Sequence, residues 1–274
     1  MTKRFGLLHH PNIAEAERLA GEAAARLRTL GVTVWRASSY DQEEVVRGAR
    51  DSDLLMSFGG DGTIVRVART IAGLNVPILS INLGRVGFLA ELQPAEVLDR
   101  LEALAGGRFW VEEHMMLRAE LQRGERVIEA FEALNDVVVS RGCLARVVRI
   151  AVHVDGQYLA TYAADGVIVA SPTGSTAYSL AAGGPVLDPQ LSNLVLTPVA
   201  PHLASGTALV LPATAHVQLE LSAGCDATLT ADGQVDVPLR DNDVVVVTAS
   251  SNLCRFVRMG ERNYFYKTLL QKLK

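Results

Sequence analysis

Cysteine is scarce. The three at Cys143, Cys225 and Cys254 are far apart, odd in number and form no CxxC pair, which argues against a disulfide framework and against a cysteine zinc site. No segment reaches the ~18 consecutive apolar residues of a membrane span. The opening "MTKRFGLLHHPNI" holds no apolar stretch of signal-peptide length. A cytoplasmic location without membrane partners is therefore expected. Long basic runs are also missing, and a formal charge of -4 argues against nucleic acid held by phosphate neutralisation, while leaving room for a small anionic ligand. The six histidines show no HExxH spacing, and Ser175 and Ser179 lack the GxSxG turn of a hydrolase triad. Internal repeats and low-complexity linkers are absent.

What remains is an apolar chain with two textures. At 274 residues and 49% hydrophobic content, it can bury one large core or two moderate ones. From residue 5 to about 105, short apolar runs (Phe5–Leu8, Val32–Trp35, Leu54–Phe58, Ile78–Ile81) alternate with helical patterns. Asn12 is placed to cap a helix through Leu30 that Gly31 stops, and Pro94 to open one through Ala105 that Gly106 stops. The alternation predicts a parallel, helix-covered sheet. From about 108 to 259, strands with hairpin punctuation take over at "RGE" (123–125), "DG" (155–156), "DGQ" (232–234) and "RDND" (240–243). The tail returns to a helical pattern, with Phe265, Leu269, Leu270 and Leu273 on one side. The expected division is an α/β domain over 1–107, a β-rich domain over 108–259, and a final helix over 260–274 packing back on the first domain.

The stretch "DLLMSFGGDGTIV" at 53–65 joins these patterns to chemistry. Leu54–Phe58 reads as a buried strand, Gly59–Gly62 as a turn, and Ile64, Val67, Ala68 and Ile71 as one face of a helix ended by Gly73. Strand, glycine turn and helix are in the order phosphate sites use, yet the loop is neither a Walker A sequence nor GxGxxG. A carboxylate beside phosphates repels them, so Asp61 needs an offsetting task. It can take a proton from an attacking alcohol, help to hold Mg²⁺, or close an Asx-type turn.

"GGDGT" at 59–63 resembles the signature shared by NAD kinases, diacylglycerol and sphingosine kinases and, more distantly, phosphofructokinases. "NLGRVGFLAEL" (82–92), "LNDVVVSRG" (134–142), "DGVIVASPTGSTAYSLAAGGPV" (165–186), "LTPVAPH" (196–202), "ADGQ" (231–234) and the final "YKTLLQKL" all resemble bacterial NAD kinases in order and spacing. The resemblance covers nearly the whole chain. It implies an α/β domain joined to a β-rich domain, and phosphoryl transfer from ATP to the 2′-hydroxyl of the adenosine ribose of NAD. Mg²⁺ is the implied cofactor, and a homodimer or homotetramer sharing its sites between subunits is implied.

The residues themselves fit that chemistry. An Asn amide such as Asn135 can pair with adenine at N6 and N7, and Asp136 can accept from a ribose hydroxyl; an ordinary Asn-Asp turn before a strand is the alternative. Ser175 or Thr176 is placed to cap a short helix from Ala177 to Ala182, among hydroxyls suited to a polar ligand. By resemblance, Asp61 is the general base. Gly59, Gly60, Gly62 and Thr63 form the phosphate turn. Thr173, Thr176, Ala177, Tyr178, Ser179, Leu180 and Ala181 line the dinucleotide site. Asp165 meets the nicotinamide end, with Arg146 and Gln234 near it. Arg66 and Ala200 are carried over too, although an Arg at such a place is commonly a solvated helix residue. Ala163, in "YAADG", is small where ATP-restricted relatives tend to have a charged or polar residue, which implies that polyphosphate also serves as donor. A lipid kinase sharing GGDGT and a noncatalytic dinucleotide sensor are the rival readings.

Overall fold

The computed structural model describes residues 3–84, 87–142, 147–202, 206–222 and 226–272. The chain divides into two compact units, Met1–Glu113 with Leu253–Lys274, and His114–Asn252.

The first unit is a parallel sheet in the order β2-β1-β3-β4. Its strands are β1 (Arg4–His9), β2 (Thr33–Ser38), β3 (Leu54–Gly59) and β4 (Ile78–Asn82), and their crossovers are α1 (Ala14–Thr29), α2 (Gln42–Ala49) and α3 (Asp61–Thr70). Every residue of β3 is buried, which is why its sequence is apolar on both faces, with only Ser57 polar, instead of an alternation. On one face, Ala16, Leu19, Ala20, Ala23, Ala24 and Leu27 of α1 recur at helical spacing and pack with Leu54, Met56, Phe58, Leu79 and Ile81. The expected cap on α1 is corrected. Ile13 holds the N-cap position with no side-chain hydrogen bond, and the Asn12 N–H donates to His10 Nδ1 at 3.1 Å, so the chain turns through a side-chain bond one residue early. The left-handed Gly31, φ 80°, follows the helix as expected. The sequence reading had no α2, although Asp41 caps it by accepting the Glu44 N–H at 3.0 Å. Pro94–Glu96 is a 3₁₀ turn leading into α4 (Val97–Ala105), which ends at Gly106.

The second unit is antiparallel. Between α4 and the end of the chain come β5 (Trp110–Arg123), β6 (Arg126–Ala133), β7 (Asp136–Arg141), β8 (Val148–Val154), β9 (Gln157–Ala164) and β10 (Gly166–Ala170). The short α5 (Tyr178–Ala181) follows, then β11 (Asn193–Val199), β12 (Leu209–Pro212), β13 (Val217–Leu221), β14 (Ala227–Ala231), β15 (Val235–Leu239), β16 (Val244–Arg258) and α6 (Tyr264–Lys272). One sheet runs β12-β11-β10-β7-β14-β15; in the other, β16 pairs with β13, β13 with β8 and β8 with β9. Positive φ at Asp155 and Gly156, and at Asp232 and Gly233, closes the hairpins β8–β9 and β14–β15. "RDND" does not close a hairpin: β15 pairs with β14 while β16 pairs with β13, so these residues carry the chain from one sheet to the other. Arg123 grips that connection by forking onto both oxygens of buried Asp243 at 2.8 Å each.

The last residues of β16 return to the first unit, where Phe256 pairs in parallel with Ile78. There α6 places Phe265 6.3 Å from the Phe88 ring. Leu270 and Leu273 lie outside the residues whose side chains are described.

Candidate active site

In the first unit, the carboxyl end of β3 meets the N-terminus of α3. This is where open α/β sheets present ligands. The glycine turn is shorter than expected: Gly60 is the N-cap and Asp61 and Gly62 already belong to the helix. Each glycine has a separate reason. A Cβ on Gly59 would lie 2.4 Å from Thr63 Oγ1, whereas a Cβ on Gly60 or Gly62 would have none of the described residues within 4 Å. Asp61 Oδ2 accepts the Phe88 N–H at 2.9 Å. A Cβ on Gly87 would come within 1.8 Å of Asp61 Oδ1, so the carboxylate is seated directly against the 87–88 backbone. Thr63 is buried, and its side chain packs on Gly59. Arg66 lies with its guanidinium 4.2 Å from the centre of the Tyr40 ring, and its buried Nε has no hydrogen-bond partner among the described residues. Tyr40 in turn meets His10 Nε2 at 3.3 Å through its hydroxyl.

In the second unit, two groups of expected residues come together. Asn135 and Asp136 open β7 beside the hydroxyl-rich segment. The Ser171 N–H donates to Asn135 O at 2.8 Å, and the Ser171 hydroxyl to Leu134 O at 2.5 Å. A Cβ on Gly174 would sit 1.9 Å from Asn135 O, so only glycine permits this approach. The Asp232 carboxylate accepts three consecutive N–H groups, from Leu134 at 2.9 Å, Asn135 at 2.7 Å and Asp136 at 3.1 Å. Sequence reasoning treated Asp232 as a hairpin residue only. It also missed buried His114, whose Nδ1 is 2.9 Å from Thr173 Oγ1 and which no motif marks.

The second group surrounds Ala163. The His202 N–H donates to Ala163 O at 2.7 Å, and the Asp165 N–H to Val199 O at 3.0 Å. Arg141 Nε is 3.2 Å from Asp165 Oδ1. Ala200, next in the chain, is exposed with φ 44°, a strained backbone of the kind that gathers at functional sites. Gln234 follows the Asp232 turn, its N–H donating to Ala231 O at 3.0 Å. Arg146 lies outside the described residues.

The expected capped helix at 177–182 is corrected. A 3₁₀ turn, Thr173–Thr176, precedes α5, and Ala177 stands between them without a side-chain cap. The Ser175 hydroxyl donates to Pro172 O at 2.6 Å and accepts the Leu187 N–H at 2.9 Å; Thr176 Oγ1 donates to Thr173 O at 3.1 Å. Local backbone outcompetes the helix end for these hydroxyls. Ser179 is buried with its hydroxyl 3.0 Å from Thr197 Oγ1, Leu180 is half-buried, and Tyr178 and Ala181 are exposed.

Asp136 is buried, and burial, reinforced by the Asp232 charge, pushes its carboxyl up to about 7 from the ordinary 3.8. The folded chain thus keeps a proton that the unfolded chain has released between about pH 4 and 7, and the stability from this group falls as pH rises through that window. Asp136→Asn is expected to exceed the wild type in stability above pH 7 by up to roughly 3–4 kcal/mol, and to lose that advantage near pH 4. Urea midpoints at several pH values measure it; a difference constant with pH would remove Asp136 as the cause.

Among the described residues, no three His, Cys, Asp or Glu side chains form a metal cage. Mg²⁺ used with a nucleotide needs none, because substrate phosphates and one or two carboxylates commonly hold it. No helix of the described residues is long and apolar enough to cross a membrane.

Comparison with known proteins places both units in one family. The model of the ATP-NAD kinase N-terminal domain matches residues 5–109, and that of the ATP-NAD kinase C-terminal domain matches residues 134–259. The NAD kinase of Dehalococcoides mccartyi is 41% identical over 100% of this chain and 97% of its own. That of Chloroflexus aurantiacus is 40% identical over 100% and 99%. Among solved structures, yeast NADH kinase complexed with NADH shares the fold with a TM-score of 0.87 at 24% identity, covering 99% of this chain and 87% of that one. An NAD kinase from Archaeoglobus fulgidus in complex with ATP gives 0.78 at 26% identity, covering 98% of each. A carboxylate fixed at an open glycine turn, a clamped Asn-Asp pair and full-length similarity therefore converge: the chain is a member of the NAD kinase family.

Proposed function

We propose that this chain transfers the terminal phosphoryl group of ATP to the 2′-hydroxyl of the adenosine ribose of NAD⁺, with Asp61 as the general base. The observation that carries the role of Asp61 is its seat: the carboxylate accepts the Phe88 N–H at the start of α3, beside Gly60 and Gly62, where an added Cβ would meet none of the described residues within 4 Å. The 2′-oxygen forms a bond to the γ-phosphorus as the bond to the β–γ bridging oxygen breaks. Asp61 takes the hydroxyl proton, and ADP leaves with the bridging electron pair. Mg²⁺ supplied with ATP offsets phosphate charge. The partial positive charge of the α3 N-terminus favours the donor phosphates, and Arg66 is assigned to the same half-site.

The dinucleotide is assigned to the second unit. Asn135 reads adenine, Asp136 accepts from a ribose hydroxyl, and Thr173 through Ala181 line the site. Asp165 meets the nicotinamide end with Arg146 and Gln234 near it, and Ala200 belongs to the same binding site. The domain division at 107 and 259, a homodimer or homotetramer with shared sites, and a cytoplasmic location complete the reading. The test is incubation of the purified protein with NAD⁺, ATP and MgCl₂, followed by assay with an NADP-specific dehydrogenase. Binding of NAD⁺ without NADP⁺ formation would favour a sensor, and phosphorylation of a sphingoid base instead would favour a lipid kinase.

Polyphosphate is proposed as a second donor. Ala163 is half-buried on β9, directly across from Arg149 on β8, and its side chain is a single methyl group. Ala163→Arg adds a long cationic side chain and sets two guanidinium groups on paired positions of β8 and β9. The wild type is expected to form NADP⁺ from polyphosphate after all ATP is removed, and Ala163→Arg to lose that activity while keeping ATP turnover. Failure of the wild type with polyphosphate, with ATP activity intact, ends the proposal.

A further inference from the structure

Arg258 is 1% exposed, and nothing in phosphoryl transfer calls for a buried guanidinium there. Burying a charge costs several kcal/mol even when it is paired, so such groups are weak stabilisers and are better understood by the geometry they impose. Arg258 Nε donates to Glu112 Oε2 at 2.6 Å. Its Nη2 donates at 2.6 Å to the Tyr264 hydroxyl, which donates at 2.8 Å to the same Glu112 oxygen. Its Nη1 donates to Leu89 O at 3.1 Å and lies 3.4 Å from Glu91 Oε2. Glu91 Oε1 accepts the N–H groups of Met259 at 2.7 Å and Gly260 at 2.9 Å. The start of β5, the end of β16 and the start of α6 are thereby tied to one short segment, residues 87–92.

That segment is the one that seats Asp61. Phe88 supplies the N–H to Asp61 Oδ2, Gly87 lies in contact with the carboxylate, and Phe265 of α6 lies against the Phe88 ring. Ser80 fixes it from the sheet side, donating through its hydroxyl to Leu89 O at 2.7 Å and accepting the Glu91 N–H at 3.0 Å. Leu89 O is thus gripped from both sides, one residue from the Asp61 contact. We infer that Arg258, with Glu91, Glu112 and Tyr264, is a positioning network that holds the 87–92 backbone against Asp61 and so fixes the direction of its carboxylate. This rests on the reading of Asp61 as base.

Arg258→Lys keeps the charge but cannot donate in four directions from a planar fork. A carboxylate displaced by a fraction of an ångström loses catalysis without losing substrate binding. Turnover is therefore expected to fall by on the order of 10²-fold while KM for ATP and NAD⁺ stays near the wild-type value. The same substitution made on Asp61→Asn should cause little further loss, because both act through one carboxylate. Hydrogen exchange at the Phe88 amide should quicken. Unchanged turnover in folded Arg258→Lys overturns the inference, as does an equal loss in both backgrounds, which is the mark of general destabilisation. Tyr264→Phe, which keeps the ring and removes only the hydroxyl, carries the same test with smaller expected changes if Arg258→Lys does not fold. Should Asp61→Asn alone retain wild-type turnover, the base reading fails by itself. The Phe88 amide then decides the positioning: faster exchange in Arg258→Lys supports it and unchanged exchange overturns it.

Discussion

Asp61→Asn is expected to lower turnover by the ~10²–10⁴ that loss of a general base removes, while the dissociation constant for NAD⁺ changes little. The substitution is nearly isosteric, and the amide oxygen still accepts the Phe88 N–H that the carboxylate accepts at 2.9 Å in the wild type. Local structure should therefore survive and the basicity alone should go. Asp61→Ala makes a useful contrast, because it also vacates the space against Gly87 and leaves the Phe88 amide without this acceptor. Single-turnover measurement with pre-bound NAD⁺ separates chemistry from product release. A single-turnover rate for Asp61→Asn near that of the wild type would remove Asp61 from the proton transfer.

The second large effect is expected at Asp232, which touches no reacting atom. Asp232→Ala strips the acceptor from the N–H groups of Leu134, Asn135 and Asp136, and Leu134 and Asp136 are buried. Each buried donor left unpaired costs ~1–3 kcal/mol, so the second unit should lose roughly 2–6 kcal/mol of stability. The 134–136 turn, proposed to read adenine, should lose its shape with it. Calorimetry should show NAD⁺ affinity falling at least about tenfold, equivalent to ~1.4 kcal/mol. Asp232→Asn divides the effect. It retains one acceptor oxygen but removes the charge that helps to push Asp136 upward, so the Asp136 carboxyl should move back toward its ordinary range. Wild-type NAD⁺ affinity in Asp232→Ala would mean that the 134–136 turn holds its shape without the clamp.

Features written into consecutive residues were readable before the structure. The all-buried run of β3 announced a parallel strand, and the glycines after α1 and α4 marked where those helices end. Asp61 and Asn135 stood out because the glycines and the strand beside them gave their polarity a context. The α2 helix escaped because only two valines stand in its eight residues, although Asp41 and Glu44 carried a capping signal. Reading caps from residue type alone misplaced them at Asn12, where Ile13 holds the N-cap position, and at Ser175 and Thr176, whose hydroxyls donate to nearer backbone carbonyls. Hardest to read were the clamps made at long range. Asp232 closes on residues almost a hundred positions earlier, and Arg258 on Glu112 and Leu89 still farther back. No local periodicity encodes such a pairing, and a turn Asp or a strand-end Arg has the same neighbours whether or not it is a clamp.

The return of β16 to the first unit has a consequence for biosynthesis. Ile78 waits for Phe256, and Glu91 for the N–H groups of Met259 and Gly260, so the residues behind Asp61 are completed only by chain that the ribosome makes after the entire second unit. At the ~5–20 residues per second of synthesis, that delay is on the order of ten seconds, during which the N-terminal sheet has an open edge at β4. A chain released early would carry the glycine turn and the start of α3 without the support behind the Asp61 carboxylate. Completion of translation is thus a condition for completing the contacts behind this turn.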